Sequence, residues 1–197
     1  MYKILCTGNP SKVGIPKEIQ KIYPNTIFAS KTNNWNLLDT DTFISKIKDF
    51  NVFVNHSSFN YTIQIDLLNA TYATWKKHNI CGHIINIGSI VEYEFGKEWN
   101  LPYHTQKVKL RNRSIELASE DIKTTHLIVG GIKTHGSNHP EQLDCSHIAQ
   151  TIKYVIDHEY NITIMSLEKI KNDWFFYNRS AIPVEYINKK NSKGLKK

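Results

Sequence analysis

Six short, almost unbroken apolar runs recur along this chain: KILCT, TIFAS, NVFVNH, HIINIGS, THLIVGG and NITIMSL. A strand that is apolar on both sides must be buried on both faces, which happens in a parallel sheet covered by helices above and below. The segments between the runs have the period such helices need. In GIPKEIQKIY, Ile15, Ile19 and Ile22 share one face, with Pro16 suited to the first turn. DTFISKIKDF turns Phe43, Ile44 and Ile47 inward, and CSHIAQTIKYVIDH aligns Ile148, Ile152, Val155 and Ile156. Helices are also expected from about Tyr61 to His78 and from about Tyr103 to Glu120, and NWNLLD reads as an additional weak strand. The pattern predicts an α/β fold, a doubly wound parallel sheet with helices on both faces, forming one domain over 1–187.

Composition narrows the partners. At 197 residues and 40% hydrophobic, the chain can bury one sizeable core. No apolar run approaches the roughly eighteen residues of a membrane span. MYKILCTGNP lacks the basic-then-apolar build of a secretory leader and reads directly as a strand. Cys6, Cys81 and Cys145 are odd in number and widely spaced, so a reducing, cytoplasmic setting is expected. The formal charge of +7 is concentrated in the last ten residues, NKKNSKGLKK, which carry five Lys and no acid. This tail, 188–197, reads as disordered and solvated, and the nearly neutral body argues against nucleic-acid binding.

In doubly wound sheets, ligands bind beyond the carboxyl ends of the strands, and the polar residues cluster there. Thr7 and Gly8 close the first run, and Gly14 opens the first helix. Asn55, His56, Ser57 and Ser58 end NVFVNHSS, Ser89 ends HIINIGS, and Gly131 and Thr134 follow THLIVGG. Fourteen residues after Ser89 stands Tyr103, in the stretch YHTQK, with Lys107 one helical turn on. The spacing itself carries no information: the chain has four Tyr-x-x-x-Lys patterns, where composition alone gives about one.

The order of these elements resembles the short-chain dehydrogenase/reductase family. That family has a TGxxxGxG turn, an NNAG strand end, a Ser after the next strand, Tyr-x-x-x-Lys about thirteen residues later, and a PG…T turn. The likeness runs from about Lys3 to Leu167 and implies a Rossmann-like fold. It selects Tyr103/Lys107, because Tyr72/Lys76 precedes Ser89, Tyr93/Lys97 lies too close to it, and Tyr186/Lys190 falls past the sheet. Residues four apart share a helix face, so the Lys107 ammonium can sit near the Tyr103 phenol. A free phenol titrates near ~10, and a neighbouring cation stabilises its anion and lowers that value.

The resemblance implies carbonyl–alcohol interconversion by hydride transfer. Tyr103 would be the general acid/base, Ser89 would hold the substrate oxygen, and Lys107 would also hold the nicotinamide ribose. It implies cofactor contacts from Thr7, Gly8, Ser11, Lys12, Gly14, Ser30, Lys31, Asp39, Asn55, Gly131 and Thr134. Ala29, Ser30 and Lys31 offer no carboxylate to a ribose 2′-hydroxyl, so NADP(H) is expected over NAD(H). A small carbonyl or alcohol substrate and a homo-oligomer are the implied partners.

The departures are specific. Lys12 stands where the turn has its middle glycine, so its side chain either crowds a pyrophosphate or pairs with it. His56, Ser57 and Ser58 replace Asn-Ala-Gly, and Gly130 replaces the Pro. For the family's helical Asn, an ungapped count favours Asn60 and local pattern favours Asn69. These differences admit an alternative, a dinucleotide-binding sensor or regulatory protein without turnover. A nucleotide-sugar reductase or epimerase ranks lower, because its glycine turn wants Gly at Ser11 and a larger C-terminal region. The stretch His135–His147 has three His and one Cys, but their spacing matches no strong metal pattern and no metal is expected.

Overall fold

The structure is a computed structural model that describes residues 2–57, 62–93, 101–133 and 142–168. Six strands form one sheet: β1 (Ile4–Thr7), β2 (Ile27–Ala29), β3 (Val52–Asn55), β4 (Gly82–Ile87), β5 (Ile122–Val129) and β6 (Ile164–Leu167). Their order is β2-β1-β3-β4-β5-β6, and every pairing is parallel. The helices are α1 (Ile15–Ile22), α2 (Thr40–Ile47), α3 (Ile63–Lys77), α4 (Leu101–Leu117) and α5 (Cys145–Asp157). This is the expected Rossmann-like arrangement.

Strand alternation divides the core in two. Ile4, Cys6, Val52, Val54, Ile85 and Ile87 pack with Ile15 and Ile19 of α1 and Ile148 and Ile152 of α5. Leu5, Phe53 and Ile84 face the other way, against Phe43 and Ile47 of α2, Leu67 and Leu68 of α3, and Leu110 of α4. Trp75 fills the lower end of that second layer, donating its indole N–H to the Ile47 carbonyl at 3.1 Å. A methyl at Gly82 would lie 2.5 Å from the Trp75 ring, so the glycine is what lets α3 approach β4.

Two expectations fail. NWNLLD forms no strand: Lys31–Asn33 make a single 3-10 turn and Asn34 is left-handed at φ 58°. The Trp35 N–H then bonds back to the Ser30 carbonyl at 3.1 Å, so this backbone satisfies itself locally instead of extending the sheet. Ile44 does not point inward and is 36% exposed. Phe43 and Ile47, four apart, take the buried stripe of this eight-residue helix, and Ile44 lies about 100° around it.

His83, buried on β4, bonds the Thr125 hydroxyl of β5 at 2.8 Å. Burial, and then the charge of Lys123, lower its pKa from 6.5 to about 4. The unfolded chain therefore takes up this proton first, and the stability contributed is full above pH 6.5 and lost as pH falls towards about 4. The unfolding free energy from urea titrations should drop across that window by up to about 3 kcal/mol from this residue. His83→Gln should flatten the slope, and an equal slope in both proteins would contradict the assignment.

Candidate functional site

The topology itself creates a crevice. The chain leaves β1 to one side for β2 and returns past it to β3, so the loops after β1 and β3 diverge above the sheet. Gly8 stands at this point with φ +118°, and a methyl there would meet Pro16 at 2.7 Å. Only glycine fits, and its bare backbone floors a cleft that opens in two directions. Towards α1 the cleft is walled by Lys12, Val13, Pro16, His56 and Cys145. Towards α2 it is walled by Ser30, Lys31, Trp35, Leu38 and Ile63. Gly14 precedes α1, whose N-terminus has no side-chain cap, and Gly14, Ile15 and Pro16 of that end line the cleft.

Lys12 does not plug the cleft. Its side chain is exposed along the rim. The turn is braced by Asn9, whose Oδ1 accepts from the Ser11 N–H at 2.9 Å and hydroxyl at 2.6 Å, while its Nδ2 donates to Thr32 at 3.2 Å. Thr32 in turn shares a hydrogen bond with Ser30 at 2.8 Å, linking the loops after β1 and β2.

Several residues expected to touch a cofactor also make hydrogen bonds that hold the walls of the cleft. The buried Thr7 hydroxyl accepts from the N–H groups of His56 at 2.8 Å and Ser57 at 2.7 Å, stapling β1 to the end of β3. Asp39 caps α2, accepting from the Thr42 N–H at 3.1 Å and hydroxyl at 2.6 Å. Those bonds hold its carboxyl below the usual range. The buried Asn55 donates to the Gln64 carbonyl at 2.7 Å and to Asn86 at 2.8 Å, tying β3, α3 and β4 together. Gly131 lies beyond β5, where its carbonyl accepts from the Leu143 N–H at 2.7 Å. Thr134 and Asn60 lie outside the described residues, as does most of the His135–His147 stretch. Asn69 accepts from Arg113 at 2.8 Å, a pairing between α3 and α4.

A cluster of buried polar side chains lies beside the cleft, at the end of β4. Lys107 on α4 is only 4% exposed. Its ammonium donates to the Gln64 side-chain oxygen at 2.6 Å and to the Ile87 carbonyl at 2.7 Å. It sits 5.4 Å from the centre of the Tyr103 ring, which lies one turn earlier on the same helix. Burial pushes its pKa down from 10.5 to about 8, against an opposing pull from the Glu92 carboxylate. Ser89 follows β4 by two residues; its N–H donates to Glu92 at 2.8 Å, and its hydroxyl accepts from the Val91 N–H at 3.4 Å. Burial, and then the charge of Lys107, lower His56 to about 4, so its imidazole is neutral at pH 7.

Gln64 was not among the expected site residues, yet it completes the set. Its amide nitrogen donates to the carbonyls of Asn55 at 2.7 Å and Ile87 at 3.1 Å while its oxygen receives Lys107. One side chain thus joins the ends of β3 and β4 to the buried ammonium. A signal existed: position 64 lies one turn before Leu67 and Leu68, so a Gln there interrupts the buried stripe of α3.

No family model matches the chain, and no curated protein matches it in sequence. Solved structures do resemble it. A short-chain dehydrogenase from Streptomyces avermitilis superposes with a TM-score of 0.65 at 16% identity, over 99% of this chain and 98% of that one. A short-chain dehydrogenase from Burkholderia cenocepacia, solved with NADP, gives 0.62 at 12% identity over 84% and 89%. BdcA, solved with NADPH, gives 0.64 at 14% identity over 85% and 93%. The sheet order, the crevice above β1 and β3, and these superpositions together identify the fold as that of the short-chain dehydrogenases.

Proposed function

We propose that this protein is an NADP(H)-dependent oxidoreductase that interconverts a carbonyl and an alcohol. The observation that carries the reading is the buried Lys107 ammonium 5.4 Å from the Tyr103 ring, on the flank of a cleft floored by Gly8. The residues fit a dinucleotide: the left-handed Gly8 leaves room for a pyrophosphate, and the α1 N-terminus supplies N–H donors and a favourable dipole. A nicotinamide cofactor, when bound, supplies the hydride; the protein supplies position and protons.

Tyr103 gives its phenolic proton to the substrate oxygen during reduction and takes it back during oxidation. Lys107 lowers the cost of the phenolate by its positive charge. Two of its three donors are already used by Gln64 and Ile87, which fixes the direction of the third. The Ser89 hydroxyl, on a backbone held by Glu92, orients the substrate oxygen.

The NADP of one neighbour and the NADPH of another agree with the lack of an acid after β2. Lys31 is exposed where a 2′-phosphate would lie, on the cleft wall with Ser30. Lys31→Ala should weaken NADPH about tenfold and leave NADH nearly unchanged, a loss of about 1.4 kcal/mol read by calorimetry. Equal losses for both cofactors would contradict the assignment. The overall reading is tested by NADPH oxidation over a panel of aldehydes and ketones. Tight NADPH binding without turnover on any of them would instead favour a dinucleotide-binding regulatory protein. Among the described residues no helix is long and apolar enough to cross a membrane.

A further inference from the structure

A second charged centre lies directly behind Ser89, on residues to which the proposed reaction gives no contact with substrate or cofactor. The side chain of Glu92 has no exposure, although it belongs to a short 3-10 turn, Ile90–Tyr93, following β4. One carboxylate oxygen accepts the Ser89 N–H at 2.8 Å. His126 on β5, itself fully buried, places Nε2 2.8 Å from that oxygen and 3.1 Å from the other. Arg111 on α4 approaches from the more open side, at 3.9 Å with a quarter of its side chain exposed.

The backbone has been shaped around this group. A methyl on Gly88 would fall 2.3 Å from His126 Nε2 and 2.5 Å from the Glu92 oxygen, so only glycine leaves space for the pair. Glu92 and Lys107 also grip opposite ends of one short segment. The ammonium holds the carbonyl of Ile87, and the carboxylate holds the N–H of Ser89. A lone buried carboxylate is costly unless paired, and the same holds for a lone buried ammonium.

From this geometry, and resting on the oxidoreductase reading for its catalytic meaning, we infer that Glu92 is the buried counter-charge of Lys107. It is a positioning residue that keeps the ammonium charged and the Ser89 backbone in place. The other groups around Lys107 do not supply that charge. Gln64 on α3 and the Ile87 carbonyl are neutral, Tyr103 shares its helix, and His56 beyond β3 is neutral at pH 7. His126 and Arg111 touch the carboxylate itself. Burial lowers the Lys107 pKa, and the Glu92 carboxylate opposes that lowering.

Glu92→Gln separates charge from shape, because the amide oxygen can still accept the Ser89 N–H. The Lys107 side-chain NMR signal, assigned by its loss in Lys107→Met, should titrate at lower pH in Glu92→Gln than in the parent. Glu92→Asp, which keeps the charge, should restore part of the difference. An unmoved Lys107 midpoint in a folded Glu92→Gln protein overturns the inference. Should Glu92→Gln not fold, the carboxyl carbon signal of Glu92 in the parent decides. The shift of a carboxylate at pH 7 supports the counter-charge, and that of a carboxylic acid overturns it. The NMR readout needs no turnover: a moved midpoint in a protein that reduces no carbonyl leaves the inference standing and removes the oxidoreductase reading. Turnover with an unmoved midpoint does the reverse.

Discussion

Tyr103→Phe should lower turnover in carbonyl reduction by about 10²–10⁴-fold, the usual contribution of a positioned proton donor. NADPH affinity should stay within about twofold of the parent, because the change removes an interaction made in the transition state and leaves ground-state binding intact. The ring itself remains, so packing beside Lys107 is kept and the 5.4 Å approach of the ammonium is not disturbed. What disappears is the hydroxyl whose proton the substrate oxygen requires. The check is NADPH consumption at saturating cofactor, with binding followed separately by calorimetry. A Phe variant as active as the parent would mean that another group supplies the proton.

Gln64→Leu should destabilise the protein by about 2–4 kcal/mol, read as a lower urea midpoint. The size follows from what the amide holds. Its oxygen is one of two acceptors for a buried ammonium, and its nitrogen serves the carbonyls of Asn55 and Ile87. Leucine matches the volume and leaves all three groups with one partner fewer, in a region where water does not replace them. The pH dependence should change as well: with fewer acceptors the ammonium loses its proton at lower pH, and activity that needs it should fall earlier on the alkaline side. A Leu variant of parental stability would mean that Gln64 is not the structural hub the geometry makes it.

Much of the fold was legible because it is written in runs rather than in single residues. An apolar strand such as NVFV announces burial on both faces, and Ile148, Ile152, Val155 and Ile156 announce one face of a helix, whatever their neighbours do. NWNLLD misled for the opposite reason. Its apolar letters are spaced like a strand, but the Asn34 turn and the Ser30–Trp35 backbone bond close it locally, which depends on a φ value and not on composition. Ile44 misled because three apolar residues compete for a stripe wide enough for two on so short a helix.

The site was legible where spacing is geometry. Tyr103 and Lys107 four apart on a helix must share a face, and the ammonium does lie beside the ring. It was not legible where the partner comes from a distant element. Gln64 is 43 residues from Lys107, and His126 is 34 from Glu92; nothing local tells which polar side chains the sheet will bring together. For the same reason the protein partners of Thr7, Asp39 and Asn55, three residues the resemblance assigns to a cofactor, appear only in the structure.

The central claim is that a dinucleotide lies in the cleft over Gly8 with its nicotinamide end at Tyr103 and Lys107. A crystal structure with NADPH measures this most directly. The expected result is a pyrophosphate against the Gly8–Gly14 turn, a 2′-phosphate at Ser30 and Lys31, and a ribose hydroxyl on the third donor of Lys107. Density for NADPH elsewhere, or a cleft that stays free of it at saturating concentration, would contradict the claim.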